Sequence, residues 1–356
     1  IVSFGERKNL THVISLKTGN IIYEINNFNV SHAVVVDELN NRFFLHGQDI
    51  ETKKASIACF EADIQNDSVN MIEKKLLDGG RILHWQPNHD NTKIQYNTVE
   101  DGKIHILDTK TLELKSFEGG GSHSNMAWAK NDSLLIVSDK MKEITNVNVI
   151  NVKTGELLST TKTSSWGHGL TACDKTEMAF IWSYEGVHKI SLKDKTIGKH
   201  CGIIKPIEKD VRSWFCWTPQ GGRFSHDQSW GEGDVYKTYL TVLDMENESL
   251  FKIETPGQEL GALQISPDGL WGAAGSHNTD DIQVFNIPEN KFVTSVKAGK
   301  SDNSFFDRDL AFSKDRKKLF VTNTQDNSIS MINIADKNIL KTFQLPYRPM
   351  WMKVLT

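Results

Sequence analysis

Apolar and polar residues alternate with period two in short runs along the whole chain, and knots of Asn, Asp, Gly and Lys break the runs. The pattern is clearest in FVTNTQDNSISMINIADKNILKTF, Phe320 to Phe343. LFVTN reads as one strand, SISMINI as the next and LKTFQL as a third, with ADKN turning the chain between the last two. Alternation of this kind, punctuated by turn residues, predicts antiparallel strands joined by tight hairpins. The same grammar starts again at Val13, Ile104, Val147, Val187, Leu240 and Ile282, and at Ala55 in a longer-turned form.

Eight such units over 356 residues give a period of about 44 residues. A repeat of about 40–50 residues made of four short strands is the signature of a β-propeller blade. The expected fold is therefore all-β, a single domain over 1–356 of four-stranded antiparallel blades. Eight blades are expected, or seven if the irregular second unit merges with a neighbour. Leading strands, often closed by a turn like S-P-D-G, stand at His32 (HAVVVDELN), His168 (HGLTACDKT), Leu263 (LQISPDG) and Leu310 (LAFSKDR). The first unit has none, whereas YRPMWMKVLT at the C-terminus is a leading strand with no unit after it. The C-terminal strand is expected to pair into the N-terminal blade and so remove an exposed sheet edge.

Leading strands run nearest a propeller's axis, so the residues that open them ring one mouth of the channel. They read His32, Arg81, His123, His168, Arg212, Arg308 and Arg348, with Gly261 breaking the run in the seventh unit. Converging cations would focus a field on an anion, an acidic cofactor or an acidic partner surface. The alternative is structural, with the same side chains bonding loops or neutralising nearby carboxylates. On the same face, SHDQSWGEGDVYKTY (Ser225 to Tyr239) reads as a long connection between the second and third strands of the sixth unit. Long connections in compact repeats commonly carry function. This one holds His226, Asp227, Trp230, Glu232 and Asp234. Trp230 is the expected partner contact, since Trp anchors interfaces, while Trp214 and Trp217 are expected to pack between blades. The ligand-bearing residues match no metal-site spacing, so no metal is assigned there. The acidic stretches at Ser276 and Ser301 read as solvated turns, with calcium as the alternative.

Composition narrows the classes. Net charge is −4 and the 41 basic residues form no run, which argues against nucleic acid. No apolar stretch approaches the roughly 20 residues of a membrane helix. The chain begins at Ile1 without an initiator Met, as expected of a processed, exported protein whose signal peptide has gone, or of a trimmed chain. Cys59, Cys173, Cys201 and Cys216 show no C-x-x-C spacing, which excludes a zinc ribbon and a C-x-x-C-H haem attachment. Cys201 and Cys216 either pair or remain free thiols. GGGS (Gly119 to Ser122) lacks the strand and helix of a phosphate loop, and there is no G-x-S-x-G elbow or H-E-x-x-H helix.

FVTNTQDNSISMINIADKNILKTFQLPYRP resembles the YVTN-type propeller repeat, with Phe320 in place of its Tyr, and LQISPDGLWGAAGSHNTDDIQVFNI carries the repeat more loosely. The resemblance implies the fold across the chain. Its relatives include amine dehydrogenase heavy chains, the hydrazine synthase β subunit, the propeller of dihaem nitrite reductases and phosphogluconolactone-type lactonases. It implies an accessory, extracytoplasmic subunit of a redox complex, without a complete active site of its own. Such a subunit scaffolds a c-type cytochrome or catalytic subunit in a hetero-oligomer, with no covalent cofactor and with haem in the partner. The alternative it implies is a cofactor- or anion-binding propeller enzyme using the His/Arg ring. No individual residue of those relatives maps onto this chain.

Overall fold

The computed structural model describes residues 1–5, 10–78, 80–121, 124–140, 144–163, 169–183, 185–205, 207, 214–215, 223–228, 239–256, 260–266, 268–276, 279–301 and 308–355. The chain opens with β1 (Val2–Gly5), β2 (Thr11–Ile14) and β3 (Ile21–Ile25). Blade 2 is β4 (Phe28–Asp37), β5 (Arg42–Asp49), β6 (Ala55–Asp63) and β7 (Ser68–Leu76). Blade 3 is β8 (Ile82–Pro87), β9 (Lys93–Thr98), β10 (Ile104–Asp108) and β11 (Leu114–Phe117). Blade 4 is β12 (Ser124–Ala129), β13 (Leu134–Lys140), β14 (Thr145–Asn151) and β15 (Leu157–Thr163). Blade 5 is β16 (Leu170–Cys173), β17 (Met178–Ser183), β18 (Gly186–Ser191) and β19 (His200–Ile204). Blade 6 is β20 (Trp214–Phe215), β21 (Arg223–Gln228), β22 (Tyr239–Asp244) and β23 (Ser249–Glu254). Blade 7 is β24 (Leu260–Ile265), β25 (Trp271–Ser276), β26 (Asp281–Asn286) and β27 (Lys291–Lys297). Blade 8 is β28 (Leu310–Phe312), β29 (Lys318–Asn323), β30 (Ser328–Asn333) and β31 (Asn338–Gln344), and β32 (Pro349–Lys353) follows it.

Each of these is a four-stranded antiparallel sheet, and the expected division into eight holds; the irregular second unit stands as a blade of its own. The C-terminal strand does complete the first sheet, whose order is β3-β2-β1-β32. Val2 lies opposite Lys353 and Phe4 opposite Trp351. Tyr347 locks the joint from outside the ladder, its hydroxyl donating to the Ser3 carbonyl oxygen at 2.9 Å.

Two compact units share these sheets. One comprises Ile1–Lys115 with Ala298–Thr356, the other Ser116–Lys297. Within the first, Val2, Val13, Phe43 and Phe60 pack blade 1 on blade 2, while Phe44, Ile57, Ile94 and Tyr96 pack blade 2 on blade 3. Phe320, Phe343, Ile14 and Met352 pack blade 8 on blade 1. Within the second, Ile136, Val147, Ile181 and Ile190 join blades 4 and 5. Phe180, Trp182 and Leu243 join blades 5 and 6. Both faces of the middle strands are covered, so β17 (MAFIWS) is buried throughout, whereas outer strands such as β31 are mostly exposed. Apolar burial of this kind is the main drive to fold.

The turn from third to fourth strand has one recurring chemistry. Asp63, Asp108, Asn151, Asp244, Asn286 and Asn333 each end a third strand and accept the backbone N–H three residues on. An Asx side chain that closes on the backbone in this way fixes the turn. Four residues after each Asx the backbone enters the left-handed region, at Asp67, Leu112, Gly155, Glu248, Asn290 and Lys337. The S-P-D-G-like turns of the leading strands follow a second rule. Ser313 Oγ donates to Asp315 at 2.6 Å, Asp315 accepts the Lys317 N–H at 3.1 Å, and Arg316 takes the positive φ of 62°. Gly47 marks a different constraint, because a Cβ there would run into the Asn29 carbonyl where β4 slips register between Val30 and Val34.

Candidate functional site

In the first unit the leading strands β28, β32, β4 and β8 adjoin in that order. Four of the strand-start cations therefore belong to neighbouring strands, but they differ in role. Arg308, two residues before β28, is 3% exposed and donates from Nη2 to the Gly299 carbonyl oxygen at 2.6 Å. It anchors the linker that carries the chain into blade 8. Arg348, next to β32, is half-buried. Arg81, next to β8, is exposed and uses its backbone carbonyl to accept the Val99 N–H at 3.1 Å. His32 falls within β4, at its register break, and its side chain lies outside the described residues. His123, His168 and Arg212 also lie outside them. Of the seven positions, then, Arg308 is committed to the fold, Arg81 is exposed and Arg348 is half-buried.

Beside Arg308, Asp309 joins blade 8 to blade 1. Its Oδ1 accepts the Leu310 N–H at 2.9 Å and its Oδ2 the Met352 N–H at 2.8 Å. Burial pushes its carboxyl above the ordinary range, with the Lys353 charge and these two N–H groups pulling the other way.

The connections from second to third strand carry buried polar clusters that the alternation pattern passes over. In blade 3, Thr98 Oγ1 donates to Asp101 and stands 2.9 Å from His105 Nε2, and His105 stacks on Tyr96 with centroids 4.9 Å apart. Asp101 reaches the same nitrogen at 3.5 Å. A relay needs the carboxylate on the other ring nitrogen, so this trio closes a turn and does not activate the threonine. Burial lowers the His105 pKa, with Asp101 opposing. In blade 2, Asp49 accepts the Thr52 N–H and hydroxyl at 2.7 Å each and pairs with Lys74. His46 meets Trp85 edge-on at 4.5 Å, so Trp85 packs blade 3 on blade 2. The buried histidines His12, His105 and His188 were legible only as polar residues near the start of third strands, where blades 2, 7 and 8 place the buried Ser56, Gln283 and Ser330.

In blade 6, His226 and Asp227 belong to strand β21 rather than to the connection after it. His226 lies opposite Phe215 and Thr241, and Asp227 opposite Trp214 and Leu240. The connection to β22 thus begins at residue 229, later than the sequence reading put it. Strand-pairing set this boundary, because SHDQ offers no apolar alternation to announce a strand. Trp230, Glu232 and Asp234 lie outside the described residues, as do the side chains of Trp214 and Trp217. Cys59 and Cys173 are buried thiols, and burial pushes Cys59 up to about 12; Cys201 is exposed and Cys216 lies outside the described residues. Among the described residues no three His, Cys, Asp or Glu side chains converge as metal ligands. A void of about 10 Å³ lined by Phe44, Ile57, Cys59 and Leu107 has room for a single water at most. No helix among the described residues is long and apolar enough to cross a membrane.

No protein-family model matches the chain, and no curated protein matches its sequence. Its backbone is similar to several solved structures. Apo AztD from Citrobacter koseri superposes with a TM-score of 0.70 at 13% identity, over 98% of this chain and 95% of that one. Dihydro-heme d1 dehydrogenase NirN in complex with DHE gives 0.66 at 10% identity, over 98% of this chain and 74% of that one. A chain of Kuenenia stuttgartiensis hydrazine synthase gives 0.59 at 12% identity, over 85% and 95%. Together with the eight sheets, these likenesses define the class: the chain is an all-β protein, an eight-bladed β-propeller. At such identities they define the fold alone.

Proposed function

We propose that the protein is an accessory β-propeller subunit of an extracytoplasmic redox complex, which scaffolds a c-type cytochrome or catalytic partner. The observation that carries this reading is the outer surface of the first unit. Strand β3 adjoins β7, and Lys341 of β31 reaches the Lys17 carbonyl beside β3 at 3.5 Å. These three outer strands leave Ile339, Leu340, Ile21, Met71, Ile72 and Leu76 exposed. Apolar side chains gathered on adjoining edges are what a partner surface covers. The extent of the backbone likeness to a hydrazine synthase chain supports the same role, and the residue 229–238 connection of blade 6 offers a second contact through Trp230.

The protein purified from its source should migrate with a haem-bearing partner, and Ile72→Asp or Leu340→Asp should release that partner while the propeller stays folded. Recovery of the wild type as a lone monomer with turnover of its own would overturn the reading.

A second reading, a propeller that binds an acidic cofactor or another anion, is favoured by the exposure of Arg81 at the start of the blade 3 leading strand, with the half-buried Arg348 at the start of the blade 1 leading strand and blade 2 between them. An absorption spectrum separates the two, since a bound tetrapyrrole absorbs in the visible and a bare scaffold does not.

A further inference from the structure

His188 on β18 and His200 on β19 face each other across a ladder whose register slips between His188 and Ile190. That slip brings His188 Nδ1 to 3.0 Å from His200 Nε2, with the rings tilted by 52°. His188 is 2% exposed, and its Nε2 has no hydrogen-bond partner among the described residues. Glu185 Oε2 stands 3.7 Å from that nitrogen. His200 is exposed.

We propose that His188 and His200 form a binding site for a divalent transition-metal ion of the zinc class, held between Nδ1 of the first and Nε2 of the second. Two features carry this. The negative charge of Glu185 favours the tautomer with the proton on His188 Nε2, which leaves the Nδ1 lone pair aimed at the partner ring; a carboxylate behind a ligating histidine sets the tautomer in this way at known metal sites. The spacing also fits. Zinc–nitrogen bonds of about 2.05 Å at a tetrahedral angle set the two nitrogens about 3.3 Å apart, so the ion replaces the hydrogen bond once the exposed His200 swings outward and the two rings turn their lone pairs off the line between the nitrogens. Imidazole suits zinc, copper and nickel over calcium or magnesium. No third protein ligand converges there among the described residues, so water completes the shell and the site exchanges its metal more readily than a closed four-ligand site would.

Metal-stripped full-length protein should be titrated with Zn²⁺ by calorimetry, and with Co²⁺ by its visible absorption. The wild type should take up one ion at this site, and His200→Gln should weaken that uptake at least about tenfold. His200 is exposed, so this variant should keep the wild-type melting temperature. Zn²⁺ should also shift the ring resonances of His188 and His200 together in the wild type, which tests the site without any substitution. No stoichiometric uptake by the wild type, uptake unchanged in His200→Gln, or unmoved ring resonances would each overturn the proposal.

Discussion

Asn323 holds the backbone of Gly299, accepting its N–H at 2.9 Å through Oδ1. The same side chain donates to Ser328 Oγ at 3.0 Å and to Ser330 Oγ at 2.8 Å, and it is fully buried. One amide thus fixes the linker that enters blade 8 and the connection between β29 and β30. Two other linkers are held by the same device, Asn148 donating to the Gly119 carbonyl at 2.8 Å and Gln283 accepting the Thr255 hydroxyl at 2.9 Å. Asn323→Ala leaves a part-buried N–H and two buried hydroxyls without this partner. Each such loss costs on the order of 1 kcal/mol or more. Denaturant unfolding should show a loss of about 3 kcal/mol, and Asn323→Asp, which keeps the acceptor alone, should also destabilise.

Asp309 makes stability depend on pH in a direction opposite to that of an exposed, salt-bridged carboxylate. Its folded pKa lies above the ordinary 3.8, chiefly through burial. The folded chain therefore holds this proton more tightly than the unfolded chain. The stabilisation that follows is complete below pH of about 3.8 and is lost as pH rises through the folded value. Asp309→Asn removes the titration and turns an amide N–H₂ towards one of the two backbone donors, at a cost of about 1–3 kcal/mol. Plotted against pH, the wild type minus variant difference in unfolding free energy should fall as pH rises out of the acidic range. A flat difference curve would rule out the raised pKa.

The Asx turns predict an asymmetry between two equivalent positions. Gly155 and Lys337 both sit four residues past the Asx, at φ of 74° and 57°. A Cβ in the left-handed region costs about 1–2 kcal/mol, less the unfolded-state entropy that glycine adds. A Cβ at Gly155 would also run into the Phe117 ring, so Gly155→Ala should destabilise by more than about 1 kcal/mol, and Lys337→Gly should be neutral or raise stability by up to about 1 kcal/mol. Lys337 is exposed, so little packing is at stake. Paired thermal melts read both effects.

What the sequence disclosed follows from where each signal lives. Asp63, Asp108 and Asn333 end their strands in side chains whose bonding is local, so turn residues in the sequence announce the hairpins. The unpaired leading strand at YRPMWMKVLT announced the closure of blade 1 because a repeat with one strand missing and one to spare has few other solutions. Arg308 shows the limit. Its place at a strand start was legible, but its burial depends on Gly299, which approaches only through the fold. His105 and His188 were missed for a related reason: period-two reading assigns burial to apolar residues and gives no weight to a polar side chain whose partner comes from another strand. His226 and Asp227 were placed in a connection because a polar strand has no alternation to reveal it.

Arg81 and Arg308 separate recognition from support. Arg308→Ala removes the bond to the Gly299 carbonyl and leaves a cavity in a buried position, so a loss of about 2–4 kcal/mol is expected. Arg81 is exposed and bonds the fold through its backbone, which any side chain preserves, so Arg81→Ala should change stability by less than about 0.5 kcal/mol. If the exposed guanidinium meets an anion, the same silent variant should weaken binding of a polyanionic probe such as citrate, and the weakening should shrink as salt screens the charge. Titration of wild type and Arg81→Ala at two ionic strengths decides the matter. Indistinguishable affinities at low salt would leave Arg81 without a ligand, and would favour the scaffold over the cofactor-binding reading.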